Sequence, residues 1–184
     1  MLLDLSEIVM REGMRVELDV DQPGVEDPDL IFAAPLRGHL AFANSGDLVN
    51  IHGNAETALL IPCNRCLKDV AVPLKFPVEE HFPIEDVLHP DRPPAEDSEY
   101  DTVVSSVVYM DQGRPILDMD ELLRQLIVTE VPLRTVCDEA CQGLCPECGC
   151  NRNLTPCLCG QKAENRPLAV LATLLNENGG PGEE

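Results

Sequence analysis

The sequence predicts an α+β fold with an antiparallel β-rich N-terminal half, barrel-like or a sandwich, a few short helices and a C-terminal cysteine-rich zinc module. Three observations carry this. Apolar and polar residues alternate through the first half, as in strands that bury one face. Turn-forming clusters separate those runs. Nine cysteines occur in 184 residues, and seven of them fall between Cys137 and Cys159.

Composition narrows the function classes. An apolar content of 44% argues against disorder throughout, and the length suits one domain with a small appendage. The chain carries 13 Lys and Arg against 33 Asp and Glu, a formal charge of −20, with no Trp, two Tyr and four Phe. Autonomous nucleic-acid binding needs a basic footprint, and single-strand binding needs stacking rings as well. Neither is provided here. Asp4 and Glu7 interrupt the N-terminal apolar stretch, so it does not read as a secretory signal. No segment approaches the roughly 20 apolar residues of a membrane span. The expected location is cytoplasmic, or an organelle after loss of a transit peptide.

The elements follow in order. Asp4 and Glu7 stand at capping-box spacing for a short helix. Residues 14–20 alternate as a strand, and two more runs flank the turn signal Asn44-Ser45-Gly46-Asp47. Residues 69–82 form another extended run, which Pro73 and Pro77 confine to an edge or a bulge. Residues 79–101 hold nine acids against the single base Arg92, with four prolines, and read as a solvated acidic segment suited to a basic partner. Residues 102–110 are a strand candidate. A helix at about 118–131 has Asp118 and Glu121 at its start and Met119, Leu122, Leu123, Leu126 and Ile127 on one face; Pro132 ends it. A last helix starts near Asn165 and stops at the glycines after Asn178. The expected organisation is a β-rich domain over 1–133, a cysteine module with the last helix over 134–178, and a flexible tail over 179–184.

In a reducing compartment, clustered thiols hold metal more readily than they form structural disulfides. The run CPECG at 145–149 is a metal knuckle: two thiolates bind from one tight turn, and Gly149 supplies the positive φ that closes it. CLCG at 157–160 gives a second pair, so Cys145, Cys148, Cys157 and Cys159 make a compact tetrathiolate. Cys63, Cys66, Cys137 and Cys141 then share a second ion across a separation of 71 positions, with Cys150 left over. A partition that groups Cys137 and Cys141 with Cys145 and Cys148 stays open. The metal sites are thus one or two structural Zn²⁺ ions, with zinc favoured over an iron–sulfur cluster by the knuckle and its hydrophilic surroundings. Closed tetrathiolates leave no open position for catalysis. His39, His52, His81 and His89 have neither ligand spacing nor a neighbouring nucleophile, and no phosphate-binding glycine loop is present.

The run CNRCL after a β-rich half, ILDMDELLRQLIVTEVPL, CDEACQGLCPECGCNRN with its later CLC, and NRPLAVLATLL resemble the YceD family, the large ribosomal RNA subunit accumulation proteins of bacteria and plastids. The likeness covers most of residues 1–178 and is most specific in 115–175. Asp118, Glu121, Glu130 and Pro132 match positions of the family helix. Gly143 to Pro146, Cys148 and Gly149 match the GLCP-x-CG run, and Asn151 and Asn153 its paired asparagines. Arg152 and Cys150 depart from the family pattern.

The resemblance implies a non-enzymatic ribosome biogenesis factor that promotes synthesis, processing or accumulation of large-subunit ribosomal RNA. Its expected partner is a basic large-subunit ribosomal protein or a pre-ribosomal particle, with rRNA contact through residues 134–166, where four bases balance four acids. Two alternatives come from other classes. One is a metal-dependent rRNA-processing nuclease that uses the abundant carboxylates; the other is a thiol redox sensor with Cys150 as its reactive thiol.

Overall fold

The structure, a computed structural model, describes residues 1–91 and 104–159. The element order is β1 (Leu2–Asp4), α1 (Ser6–Met10), β2 (Arg15–Gln22), β3 (Phe32–Asn44), β4 (Leu48–Pro62), β5 (Asp69–Pro83), α2 (Ile84–Leu88), α3 (Val104–Val107), β6 (Val108–Asp111), β7 (Arg114–Asp118) and α4 (Met119–Glu130). The strands form an antiparallel meander in the order β2-β3-β4-β5 and a three-stranded antiparallel sheet in the order β1-β7-β6. Strand-rich antiparallel sheets with few short helices are the fold that the sequence predicts.

By compactness the chain divides in two. One unit is Met1–Pro62 with Asp69–Thr135; the other is Cys63–Lys68 with Val136–Glu184. The tip of the β4–β5 hairpin therefore groups with the C-terminal cysteine segment.

In the first unit, alternation sets the core. Even-numbered residues of β2 and β3 and odd-numbered ones of β4 face inward, and Leu36, Leu40, Phe42, Val49 and Ile51 are completely buried. Leu117 of β7 and Met119, Leu122, Leu123 and Ile127 of α4 join the same core. Each such side chain contributes about 1.5–3 kcal/mol through removal from water. The opposite face of the meander is solvated and charge-paired. Asp21, Arg37, Glu56 and Lys75 stand side by side on four neighbouring strands, with Arg37 Nε 3.2 Å from Asp21 and Lys75 Nζ 2.7 Å from Glu56. His39, His52 and His81 lie on this face too, in no cysteine cluster; the rings of His52 and His81 meet edge-on at 5.4 Å.

Turns follow their chemistry. Buried Asn44 donates to the carbonyls of Ile8 and Val9 at 2.8 and 3.1 Å and accepts from Gly46 N–H at 2.7 Å, which fixes the β3–β4 turn. Gln112 and Gly113, both at positive φ, close the β6–β7 hairpin as the two central residues of a mirror-image turn. Asp118 caps α4 by accepting from the N–H groups of Asp120 and Glu121, and Val131, before Pro132, is extended. With Pro73 and Pro77 in its interior, β5 sits at the sheet edge.

Three expectations need correction. The sequence places a solvated segment over residues 79–101, yet 79–83 continue β5, with Phe82 1% exposed, and 84–88 form α2 around buried Val87. Two apolar anchors outweigh the surrounding acids there. The strand expected at 102–110 begins only at Val108, because Val104–Val107 form a helical turn that buries Val104 and Val107. At α1, Asp4 accepts from Ser6 N–H at 2.9 Å, but the N-cap is Leu5 and makes no side-chain cap. The acidic stretch 92–101, the helix expected near Asn165 and the tail 179–184 lie outside the described residues. Among those described, no helix is long and apolar enough to cross a membrane.

Candidate metal centres

The second unit is built around two copies of one turn. In the first, Cys63 N–H donates to Lys68 C=O at 2.8 Å and Leu67 N–H donates to Cys63 C=O at 2.9 Å. In the second, Cys145 N–H donates to Cys150 C=O at 2.8 Å and Gly149 N–H donates to Cys145 C=O at 2.9 Å. Residue for residue, CNRCLK and CPECGC make the same knuckle. The turn needs positive φ at its fifth position. Gly149 adopts it at 71°, as its type allows; Leu67 adopts it at 60° with an exposed side chain.

The two knuckles are joined through Arg65 and Gly143. Leu144 N–H donates to Arg65 C=O at 2.8 Å, and Arg65 Nη1 donates to the carbonyls of Glu139 and Cys141 at 2.7 and 3.0 Å. A Cβ on Gly143 would lie 2.9 Å from the Arg65 carbonyl oxygen, so only glycine admits this approach. Arg152 N–H donates to Gly143 C=O at 3.0 Å, and Leu144 bridges Asn151, which closes a short hairpin around the second knuckle. The Arg152 side chain points to solvent, so its departure from the family pattern leaves the packing untouched.

These turns gather eight thiols into two groups. Cys63, Cys66, Cys137 and Cys141 form one, and Cys145, Cys148, Cys157 and Cys159 the other; within each, all four Sγ atoms lie within 4.8 Å of one another. Cys66 and Cys137 are 3.5 Å apart, Cys148 and Cys157 3.6 Å, and Cys145 and Cys157 3.3 Å. A tetrahedral Zn–S shell with bonds of about 2.3 Å sets its sulfurs about 3.8 Å apart, so both groups suit such an ion. Disulfides are about 2.05 Å long, and all nine cysteines are free.

Backbone donors prepare the sulfurs for negative charge. Burial alone pushes the Cys63 thiol up, but the N–H groups of Arg65, Cys137 and Cys66 outweigh it and bring it down to about 6. Donor distances from Arg65 and Cys137 are both 3.4 Å. The Cys150 N–H, with the neighbouring thiols, likewise holds Cys148 at about 6. Cys141 is lowered despite its burial by Gly143 N–H and the Asn153 amide, and Cys157 is lowered chiefly by Cys159 N–H. Their partners move the other way. Cys137 is pushed up to about 12 mainly by its hydrogen bond to Cys66, Cys150 by Cys148, and Cys159 by Cys157. Each group thus pairs thiols whose pKa is lowered with thiols whose pKa is raised.

Asn153 is the supporting residue that ligand spacing does not reveal. Its amide donates to Cys141 Sγ at 3.3 Å and to Asn151 Oδ1 at 2.8 Å, while its Oδ1 accepts from Gln142 N–H at 2.7 Å. It braces the Cys141 loop of the first group, the place a supporting residue would take if that group held a metal. The two groups differ in access: Cys63, Cys66 and Cys141 are at most 6% exposed, whereas Cys148 is open to solvent.

Comparison with known proteins adds two findings. A family described as "Large ribosomal RNA subunit accumulation protein YceD" matches residues 51–175, well over half the chain. The chain is also 33% identical over 58 residues to the chloroplastic large ribosomal RNA subunit accumulation protein YCED homolog 1 of Arabidopsis thaliana. That match covers 32% of this chain and 18% of the relative's length. No solved structure matches.

Proposed function

This chain belongs to the YceD family, and from that premise we propose that it is a non-enzymatic factor promoting accumulation of large-subunit ribosomal RNA by binding a basic large-subunit protein or a pre-ribosomal particle. The observation that carries the reading is the family match over residues 51–175, which spans both cysteine groups. The cysteine segment serves it as a rigid platform. Cys63, Cys66, Cys137 and Cys141 hold one zinc ion, and Cys145, Cys148, Cys157 and Cys159 hold another; the metal supplies folding free energy, not a reactive water.

Charge selects the partner. Four thiolates around one divalent ion leave two negative charges per centre, added to a chain already at −20. Such a surface repels bare RNA and steers towards a basic protein. Direct rRNA contact is confined to positions such as Arg134 and Arg152, both exposed. The site of action is the bacterial cytoplasm or a plastid.

Depletion of the protein in its own host tests the reading, with the ratio of mature large- to small-subunit rRNA measured alongside sedimentation of the tagged protein. The expected result is a lowered ratio and co-sedimentation with large-subunit precursors or their basic proteins. An unchanged ratio, with the protein found only in free fractions, would overturn it.

A further inference from the structure

The meander is an open sheet, so it ends in two edge strands, β2 and β5. Asn44 N–H donates to Met14 C=O at 3.0 Å, and antiparallel bonding alternates from that pair, so even-numbered residues of β2 carry the ladder to β3. The N–H and C=O groups of Arg15, Glu17, Asp19 and Asp21 therefore point away from the sheet. Among the described residues they have no backbone partner on that side. The same alternation, followed across β3 and β4, turns the odd-numbered residues of β5 to its open side. Two of these are Pro73 and Pro77, which have no N–H to offer a further strand. One edge of the sheet is thus blunted. The other presents eight residues in unbroken register, with neither proline nor bulge.

Side chains along β2 say what fits there. Arg15, Glu17, Asp19 and Asp21 are exposed on the solvated face, three acids to one base, while Val16 and Leu18 are only half-buried on the core face. Arg37 and His39 engage Oδ1 of Asp21 and of Asp19, at 3.2 and 2.7 Å. Among the described residues the second oxygen of each carboxylate is left for a cation arriving from the open side. A second copy of β2 would set acids beside acids, which is unfavourable between neighbouring strands. We propose that the open edge of β2 takes up an extended basic segment of a partner protein as an added strand. Backbone bonds to Glu17, Asp19 and Asp21 hold it, Lys or Arg side chains on one face meet the carboxylates, and apolar ones on the other cover Val16 and Leu18.

This inference names the surface for the basic partner proposed above and rests on that reading, and the experiment separates the two. Amide hydrogen exchange is followed in the full-length protein, with a synthetic peptide of alternating Lys and Val as the probe. Alone, the protein should exchange quickly at Glu17, Asp19 and Asp21 and slowly at Leu18 and Val20. The peptide should slow the first three by at least about tenfold. The same peptide methylated at every backbone nitrogen, equal in charge but without donors, should not. Asp19→Pro removes an open-side donor and leaves the ladder to β3 whole, so it should abolish the protection. Glu17→Lys with Asp21→Lys, which keeps every backbone donor, should weaken peptide binding by about fivefold or more. Unchanged exchange with the peptide overturns the proposal, as does equal protection by the methylated peptide or by a single-stranded RNA oligonucleotide. Slow exchange of the three amides in the free protein, rising with its concentration, assigns the edge to a second copy and overturns it too. In the host, wild type should co-sediment with large-subunit precursors and both variants should not. Variants that co-sediment like wild type overturn the edge alone; wild type found only in free fractions overturns the functional reading.

Discussion

Leu67 and Gly149 occupy the same position of the same turn, and their contrast measures what the knuckle demands of a residue. A left-handed conformation costs a non-glycine residue roughly 1–2 kcal/mol, while glycine loses more backbone entropy on ordering. The Leu67 side chain is 64% exposed, and a Cβ on Gly149 would meet nothing within 4 Å, so packing does not obscure the comparison. Leu67→Gly should stabilise the first knuckle by about 0.5–1 kcal/mol, and Gly149→Ala should destabilise the second by about the same amount. Chelator competition for bound Zn²⁺ and denaturant midpoints read both effects. Equal responses of the same sign would contradict the equivalence of the turns. At this scale the sequence is only half legible. CPECG announces itself through its glycine, whereas CNRCL hides an identical turn behind a leucine. Asn153 carries no spacing signal at all; it is visible only as one of the paired asparagines of the family resemblance.

Among the elements, α4 is where local electrostatics can be followed most closely. Arg124 donates twice to Glu121 at 2.7 Å and reaches Asp27 at 3.4 Å, so it ties the first turn of the helix to the loop after β2. Hydrogen bonds from Arg124 and then Gln125 hold the Glu121 carboxyl down at about 2, against an ordinary 4.5. A carboxyl depressed on folding stabilises the native state above its unfolded value and loses that contribution as pH falls through the folded one. The melting temperature of Glu121→Gln should therefore lie below that of wild type by a constant margin above pH 4.5, with the margin closing towards pH 2. Thermal melts across that range check it; a margin that widens on acidification contradicts the assignment. Helix α4 and the long strands are legible because period and caps agree in them. Elements of four or five residues are not. Helix α2 lies within an acidic, proline-rich run, and the helical turn at Val104–Val107 begins and ends on β-branched valines that local propensity assigns to a strand. Burial of Val87, Val104 and Val107 decides those cases, and burial is a tertiary fact.

The whole molecule joins a conventional sheet core to a unit that holds all nine cysteines. Its strongly negative charge first excludes autonomous RNA binding; the outward rung of Asp21, Arg37, Glu56 and Lys75 is itself balanced, so the excess acids lie elsewhere on the chain. The second cysteine group could be read from spacing, since its ligands fall within fifteen residues, Cys145 to Cys159. The first could only be offered as one of two partitions, because nothing local says that a hairpin tip at Cys63–Lys68 groups with a loop 71 positions later. Metal content decides whether these quartets are what they are proposed to be. Freshly purified full-length protein should carry two zinc ions. Serine at Cys63, Cys66, Cys137 and Cys141 together should leave one, and serine at Cys145, Cys148, Cys157 and Cys159 together should also leave one. Wild type without metal, or loss of both ions when either quartet is removed, would contradict the account.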